Sequence, residues 1–435
     1  MNAVLQRRSP LTVKIALAAV TIVIAALLAA PGFPTHWADS AAYLAMAQGL
    51  PALMPWAARI LLPDLVAFGS GLFGSSIDSG FELITCVAFI PWVSIVVTRW
   101  RASIWLPLFL VTPLVVASLR VVYITDMFHM GLTAVFLSLL SWNPPIAGIF
   151  MIVMMMGRES SMFLAFISAA VLLWNRKFLS GCLMLAGYLV GSFLVHRLTI
   201  GAQNVHQMPD LLYLLTKMPA NFLRNWMGVL IWTNGYAWCD HPIFVTSLPG
   251  SFHLGVITQV GFCAPSVAAP LATISSYVTT FGVLPAVLLA VLKERGVPTG
   301  LWRQEWWTTA FVYGSLMIVL GSLAGEPVDR EIGYGWPLFL IALPAICSEM
   351  LTWRIAVLHV IAAWARLLLT ALLGMSGDDL WFSGVSMLPL ISILSLTIGI
   401  VANAISFEIM RSIFSGSRGL GAAPVLAGIS GQGAE

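Results

Sequence analysis

Runs of mostly apolar residues recur along this chain between residues 13 and 406. Most are about 20 residues long, enough to cross a ~30 Å hydrocarbon core as a helix. In lipid only helices and closed barrels satisfy their own backbone hydrogen bonds. A barrel would show ~10-residue segments of alternating polarity, a pattern this sequence lacks. Charged residues are 9% of the chain, against roughly 25% in soluble domains, and the mean hydropathy is +0.94. The expected fold class is therefore all-α integral membrane, with about 12 transmembrane helices. A net charge of +3 and the lack of a basic run exclude nucleic acid as a partner.

The expected spans are 13–31, 82–98, 103–119, 127–142, 145–157, 160–175, 179–196, 269–292, 307–324, 336–352, 355–374 and 384–406. Those at 145–157 and 160–175 are short: either tilted crossings, or a broken pair meeting at Gly157-Arg158-Glu159. The first span follows Arg7, Arg8 and Lys14 and reads as an uncleaved signal anchor. Residues 1–415 form one polytopic domain, and the Gly/Ala/Ser-rich stretch 416–435 reads as a disordered cytoplasmic tail.

Threading the spans from a cytoplasmic N-terminus sorts the 21 Lys and Arg residues. Thirteen fall inside, mostly in short turns such as Arg99-Trp100-Arg101 and Arg176-Lys177. Seven fall outside (Arg59, Arg120, Arg158, Arg197, Lys217, Arg224 and Arg330), and Arg366 sits within a span. This excess of inner basic residues supports the orientation and a bacterial-type inner membrane location. Two external segments are long. In 32–81, Asp39 or Ser40 can cap a helix that Gly49 ends, and a second amphipathic stretch follows, giving two interfacial helices. The segment 197–268 is rich in Trp, Pro and His, with an interfacial helix expected around 219–232.

The outer charges carry the chemistry. Asp39, Arg59, Arg120, Asp126, Arg158, Glu159, Arg197, Asp329 and Arg330 come from separate stretches, yet all thread to one membrane surface. Together they suggest a polar cavity for an anion and for proton transfer. Asp39 reads either as a helix cap or as an unpaired carboxylate in a partly apolar cleft, with raised proton affinity and the reach of a general base. Arg158 and Glu159 are neighbours that cannot face one another, so each needs a different partner. Asp329 suits the start of a helix, which leaves Arg330 unexplained. Arg59 is a snorkelling contact or a bidentate phosphate ligand. For Arg366, pairing with a neighbouring helix or snorkelling suffices. Asp378-Asp379 reads as a solvated loop, the histidines lack metal-ligand spacing, and Cys239 and Cys263 share the large external segment, where a disulfide is open to them.

Asp39-Ser40-Ala41-Ala42-Tyr43 followed by Arg59-Ile60-Leu61-Leu62-Pro63, then Asp126, Gly157-Arg158-Glu159-Ser160 and Asp329-Arg330 before Pro337, resembles the GT-C superfamily of membrane glycosyltransferases. The resemblance spans roughly residues 13–350 through short motifs. It implies a polyprenyl-phosphate-linked sugar as donor, a glycan, lipid or protein hydroxyl as acceptor, and an inverting transfer at the external (periplasmic) face. Asp39 would be the catalytic base. Arg158, Arg330 and Arg59 would hold the donor phosphate, with Glu159, Asp126, Asp329 and Tyr43 orienting them or binding substrate. Family members often carry a second acid beside the first, where this chain has Ser40, so no metal or other cofactor is expected. Two alternatives stay open. A lipid-linked glycan polymerase or ligase would depend on residues such as His241 or Arg224. A lipid or sugar transporter would need inverted repeats and polar groups at mid-membrane.

Overall fold

The computed structural model describes residues 11–29, 39–52, 56–100, 103–199, 210–234, 241–249, 257–324, 328–373 and 389–419. Most of them are helical. Among the described residues, seven helices are long and apolar enough to cross a membrane, running Leu11–Ala29, Ile77–Arg99, Phe178–Leu198, Glu305–Leu323, Val328–Met350, Trp353–Leu372 and Pro389–Ser415. An eighth forms if Ala268–Phe281 and Leu284–Glu294, bent by 76° at Gly282-Val283, count as one. Large side chains on the outward faces are apolar and exposed, among them Val20, Phe166, Phe193, Val319, Leu368 and Ile400. Such faces are unfavourable in water and match a hydrocarbon solvent. The chain is an all-α, multi-pass membrane protein.

The remaining expected spans are shorter or interrupted, for reasons written in proline and glycine. The run 103–119 divides into Leu106–Leu110 and Pro113–Arg120, because Pro113 has no amide to continue the first helix. Gly282, at φ +55°, and Pro285 break the run 269–292. The run 336–352 is joined to Val328–Gly333 but passes through a π-helical turn, Leu338–Ala342, before Pro344. Asp126–Trp142 has 17 residues, and Pro144–Gly157 and Ser161–Trp174 have 14 each.

The first segment expected to be external holds Ser40–Ala47, a single turn at Trp56–Ala58 and Leu61–Phe73, which ends on Gly74 in the left-handed region. These elements bury Tyr43, Leu62 and Val66 against Phe81, Tyr123 and Phe128 in a small satellite core. The second holds Asp210–Met227, earlier and longer than expected, and a departure from the all-helical expectation. Strands β1 (Ile231–Thr233), β2 (Phe244–Ser247) and β3 (Gln259–Phe262) form an antiparallel sheet in the order β1-β3-β2. Cys263 follows it and is disulfide-bonded, whereas Cys239 and Asp378-Asp379 lie outside the described residues. Pro389–Gly419 carries the last helix into the start of the expected tail.

The main core is built on Trp92, Trp100, Phe109, Trp307 and Trp336. Beside it, Pro144–Gly157 and Phe178–Leu198 meet backbone to backbone, since a Cβ on Gly187 would lie 2.0 Å from the carbonyl oxygen of Gly148. Small residues permit this approach, and in membranes such packing is what holds helices together.

Candidate functional site

Four short stretches, none of which could bury its charges alone, converge at one end of the bundle. The turn after Pro144–Gly157 supplies Arg158 and Glu159, and the first turn of Asp126–Trp142 supplies Asp126. The short helix Val328–Gly333 supplies Arg330 and Glu331. The interfacial segment supplies Asp39, Tyr43 and Arg59. Three of the arginines expected on the outer side, 59, 158 and 330, thus meet here and are buried. Arg120 hydrogen-bonds instead to the carbonyl of Ala29 at 3.5 Å, and Arg197 lies over the ring of Phe193.

Arg158 and Glu159 turn to different partners. One guanidinium nitrogen of Arg158 donates to Asp126 Oδ1 at 2.8 Å and to Thr125 Oγ1 at 3.2 Å, and the other spans both oxygens of Glu331 at 3.2 Å. Glu159 accepts two hydrogen bonds from Arg59, whose third donor reaches the Tyr43 hydroxyl at 2.9 Å. Arg330 presents both terminal nitrogens to Asp39 Oδ2 at 3.2 Å, contacts Glu331 at 3.2 Å, and directs Nε toward Asp126 Oδ2 at 3.3 Å. Tyr334 donates to Asp126, its ring lies 4.4 Å beneath the Arg158 guanidinium, and His129 meets it edge-on.

Asp39 occupies the N-cap position of Ser40–Ala47, but its side chain makes no capping bond. It is not the unpaired, proton-avid carboxylate that the sequence suggests. Burial does act to raise its proton affinity, but the guanidinium of Arg330, then that of Arg59, and hydrogen bonds from Trp56 and Arg330 outweigh it. The carboxyl is held below its usual value of 3.8. Glu159 behaves alike: burial raises it, and Arg59 overrides burial to bring it to about 2.

Asp329, expected beside the substrate-facing arginines, belongs to a second pair. Its side chain accepts from Arg366 and from the amide of Arg330 at 3.1 Å, and Arg366 also reaches Ser276 at 3.5 Å. Arg366 and Asp329 are both buried. Asp329 therefore braces the backbone that carries Arg330 rather than lining the cluster.

Sequence reasoning missed Glu331, Tyr334, His129 and Thr125. Glu331 had a signal, since it extends Asp329-Arg330 by one residue. The two aromatic residues had none, because each partner lies far along the chain. Counted together, Asp39, Asp126, Glu159 and Glu331 set four carboxylates against the three guanidiniums of Arg59, Arg158 and Arg330. An incoming anion must therefore displace a carboxylate. The buried arginines form the floor, while Glu159 and Asp39, with side chains 47% and 21% exposed, form the rim. Among the described residues, no group of three or more His, Cys, Asp or Glu side chains is placed to hold a metal ion. No family model, no curated protein and no solved structure matches this chain.

Proposed function

We propose that this chain is a membrane glycosyltransferase of the GT-C type, moving a sugar from a polyprenyl-phosphate donor to an acceptor hydroxyl at the external face with inversion. The observation that carries this reading is the Asp39–Arg330 contact. It joins a carboxylate able to take a proton to a guanidinium able to take a phosphate, at 3.2 Å, inside a cluster of buried arginines. The Asp39 side chain turns away from the capping role that would have explained it more cheaply.

Depth supports a lipid-borne donor. Pro144–Gly157 and Ser161–Trp174 have 14 residues each, or ~21 Å of rise against a hydrocarbon core of ~30 Å. Their far ends lie toward the Asn175–Lys177 turn, where Lys177 pairs with Glu305 at 3.0 Å. On the twelve-pass threading, in which the short and broken helices also cross, Arg158 then sits below the outer surface. A phosphate anchored by its own lipid suits that depth better than a water-soluble sugar nucleotide.

In the reaction, the acceptor oxygen attacks the anomeric carbon from the side opposite the phosphate, and Asp39 takes the hydroxyl proton. The bond from carbon to the phosphate oxygen breaks, and its electron pair leaves on the polyprenyl phosphate. Arg330, Arg158 and Arg59 stabilise that charge as it grows. Glu159, Glu331 and Asp126 hold the guanidiniums in place, with Tyr43 fixing Arg59.

The test is sugar transfer by purified protein in lipid with a panel of polyprenyl-phosphate sugars. Asp39→Asn should lower turnover by about 10²–10⁴-fold in protein that still unfolds cooperatively. Full activity in a folded Asp39→Asn protein would remove the proposed base. Turnover of no donor in the panel would shift the weight to the glycan ligase and transporter readings.

A further inference from the structure

The cluster as it stands has no vacant cationic place for a phosphate. Arg59 gives Nε and both terminal nitrogens to Glu159 and Tyr43, and Arg158 is bound by Asp126 and Glu331. Of the carboxylates on Arg330, Asp126 is buried and shared with Arg158, and Glu331 is also shared with Arg158 and is 13% exposed. Asp39 is different. It lies on the rim, its one ion pair among the described contacts is with Arg330, and it takes both terminal nitrogens on a single oxygen. It is the carboxylate most easily displaced.

We infer that an anionic lipid phosphate binds by partner exchange, taking the Arg330 guanidinium from Asp39 and so raising the proton affinity of Asp39; the proton comes from solvent when the ligand brings no acceptor, and from the acceptor hydroxyl in the reaction. The inference rests on the phosphate-binding reading above. Once Arg330 has turned to the phosphate, Asp39 keeps its burial but loses its nearest countercharge, and a new anion stands close by. Both changes favour the protonated carboxyl. The groups facing Asp39 are Arg330 and Glu331 of Val328–Gly333, Arg59 and Trp56 of the turn beside it, and Tyr43 on its own helix. Asp64 lies on the interfacial helix packed against that one, and Glu159 and Asp126 stand behind the arginines. Of these, Asp39 alone changes partner in the exchange. A resting carboxylate held by arginine is a weak base, and the exchange strengthens it only when a donor is present. Water reaching an empty site would then meet an unarmed base.

Binding can be measured without turnover. The probe is dodecyl methyl phosphate, a diester whose single charge does not change with pH, titrated calorimetrically into the full chain in lipid nanodiscs. Buffers of differing ionisation enthalpy count the protons. Wild type should take up a fraction of a proton that grows toward one as the buffer is made more acidic, and its affinity should fall as pH rises. Asp39→Asn should take up none and bind about tenfold tighter at neutral pH, as expected when a competing charge worth ~1.4 kcal/mol is removed. Asp39→Glu keeps the carboxylate and should keep the proton uptake, which guards against an Asn variant that folds badly. Binding without proton uptake, or an Asn variant that binds no tighter, overturns the exchange and leaves the phosphate reading intact. Absence of binding by wild type, Asp39→Asn and Asp39→Glu alike overturns both.

Discussion

The two ends of this helical bundle handle positive charge in opposite ways. At the end that is outer in the proposed orientation, Arg59, Arg158 and Arg330 have side chains 9%, 3% and 7% exposed, and each is met by carboxylates drawn from distant segments. At the inner end Lys177 and Arg411 are about half exposed, and each has a single acidic partner among the described contacts, Glu305 at 14% and Glu408 at 64% exposure. Arg99 there lies 3.8 Å over the ring of Trp306, and Arg295 4.8 Å over that of Phe414. An inner basic residue needs only a ring under its guanidinium or a single acidic partner, which suffices to orient the chain. Arg59, Arg158 and Arg330 are desolvated at a cost of several kcal/mol, repaid only by excellent geometry. Such expenditure has no topological purpose, and it marks the outer end as the place where the chain does its work.

The contrast breaks most readily at Arg158. Arg158→Ala takes from Asp126 and Glu331 one of the two cations they share, leaving Arg330, and removal of one partner from a buried pair costs about 3–5 kcal/mol. Equilibrium unfolding in mixed micelles should show that loss, and a cost no larger than that of an inner-end variant would erase the distinction. Arg366→Ala should come next, at about 3 kcal/mol, and Asp329→Ala should cost about as much. The double variant should cost clearly less than the sum, because neither charge is then left alone. Additive losses would mean that the pair is not a unit. At the inner end Lys177→Ala, which removes a half-exposed partner of Glu305, should change stability by at most about 1 kcal/mol. A larger effect there would show that both ends are built alike.

Much of this was readable along the chain, because apolar run length is local information. The helix starting at Asp126 and the division at Arg158 follow from residues adjacent in sequence, and sidedness alone brought Asp39, Arg59, Arg158 and Arg330 into one group. Pairing is not local. Arg158 with Glu331, Arg330 with Asp39 and Asp329 with Arg366 are choices among several acids and bases of the same sign and sidedness, and only the packed bundle makes them. Hence Asp329 was placed with the wrong arginine, Glu331 was overlooked, and Asp39 was given a raised proton affinity that its partner reverses. The broken runs were more legible than their expectation as single spans allowed, since Pro113, Gly282, Pro285 and Pro344 stand at or beside the breaks.

Gly148 and Gly187 carry no charge and lie well along their helices, yet the helix that ends at Arg158 leans on their contact. Most lipid-facing positions can drift among Leu, Ile, Val and Phe with little consequence, because the solvent there accepts any hydrocarbon. These two cannot accept even a methyl group without forcing the helices apart and carrying the guanidinium with them. Selection acting on the proposed reaction would therefore reach two glycines that take no part in it. A survey confined to charged residues would pass over a site where the smallest possible change disturbs the outer end.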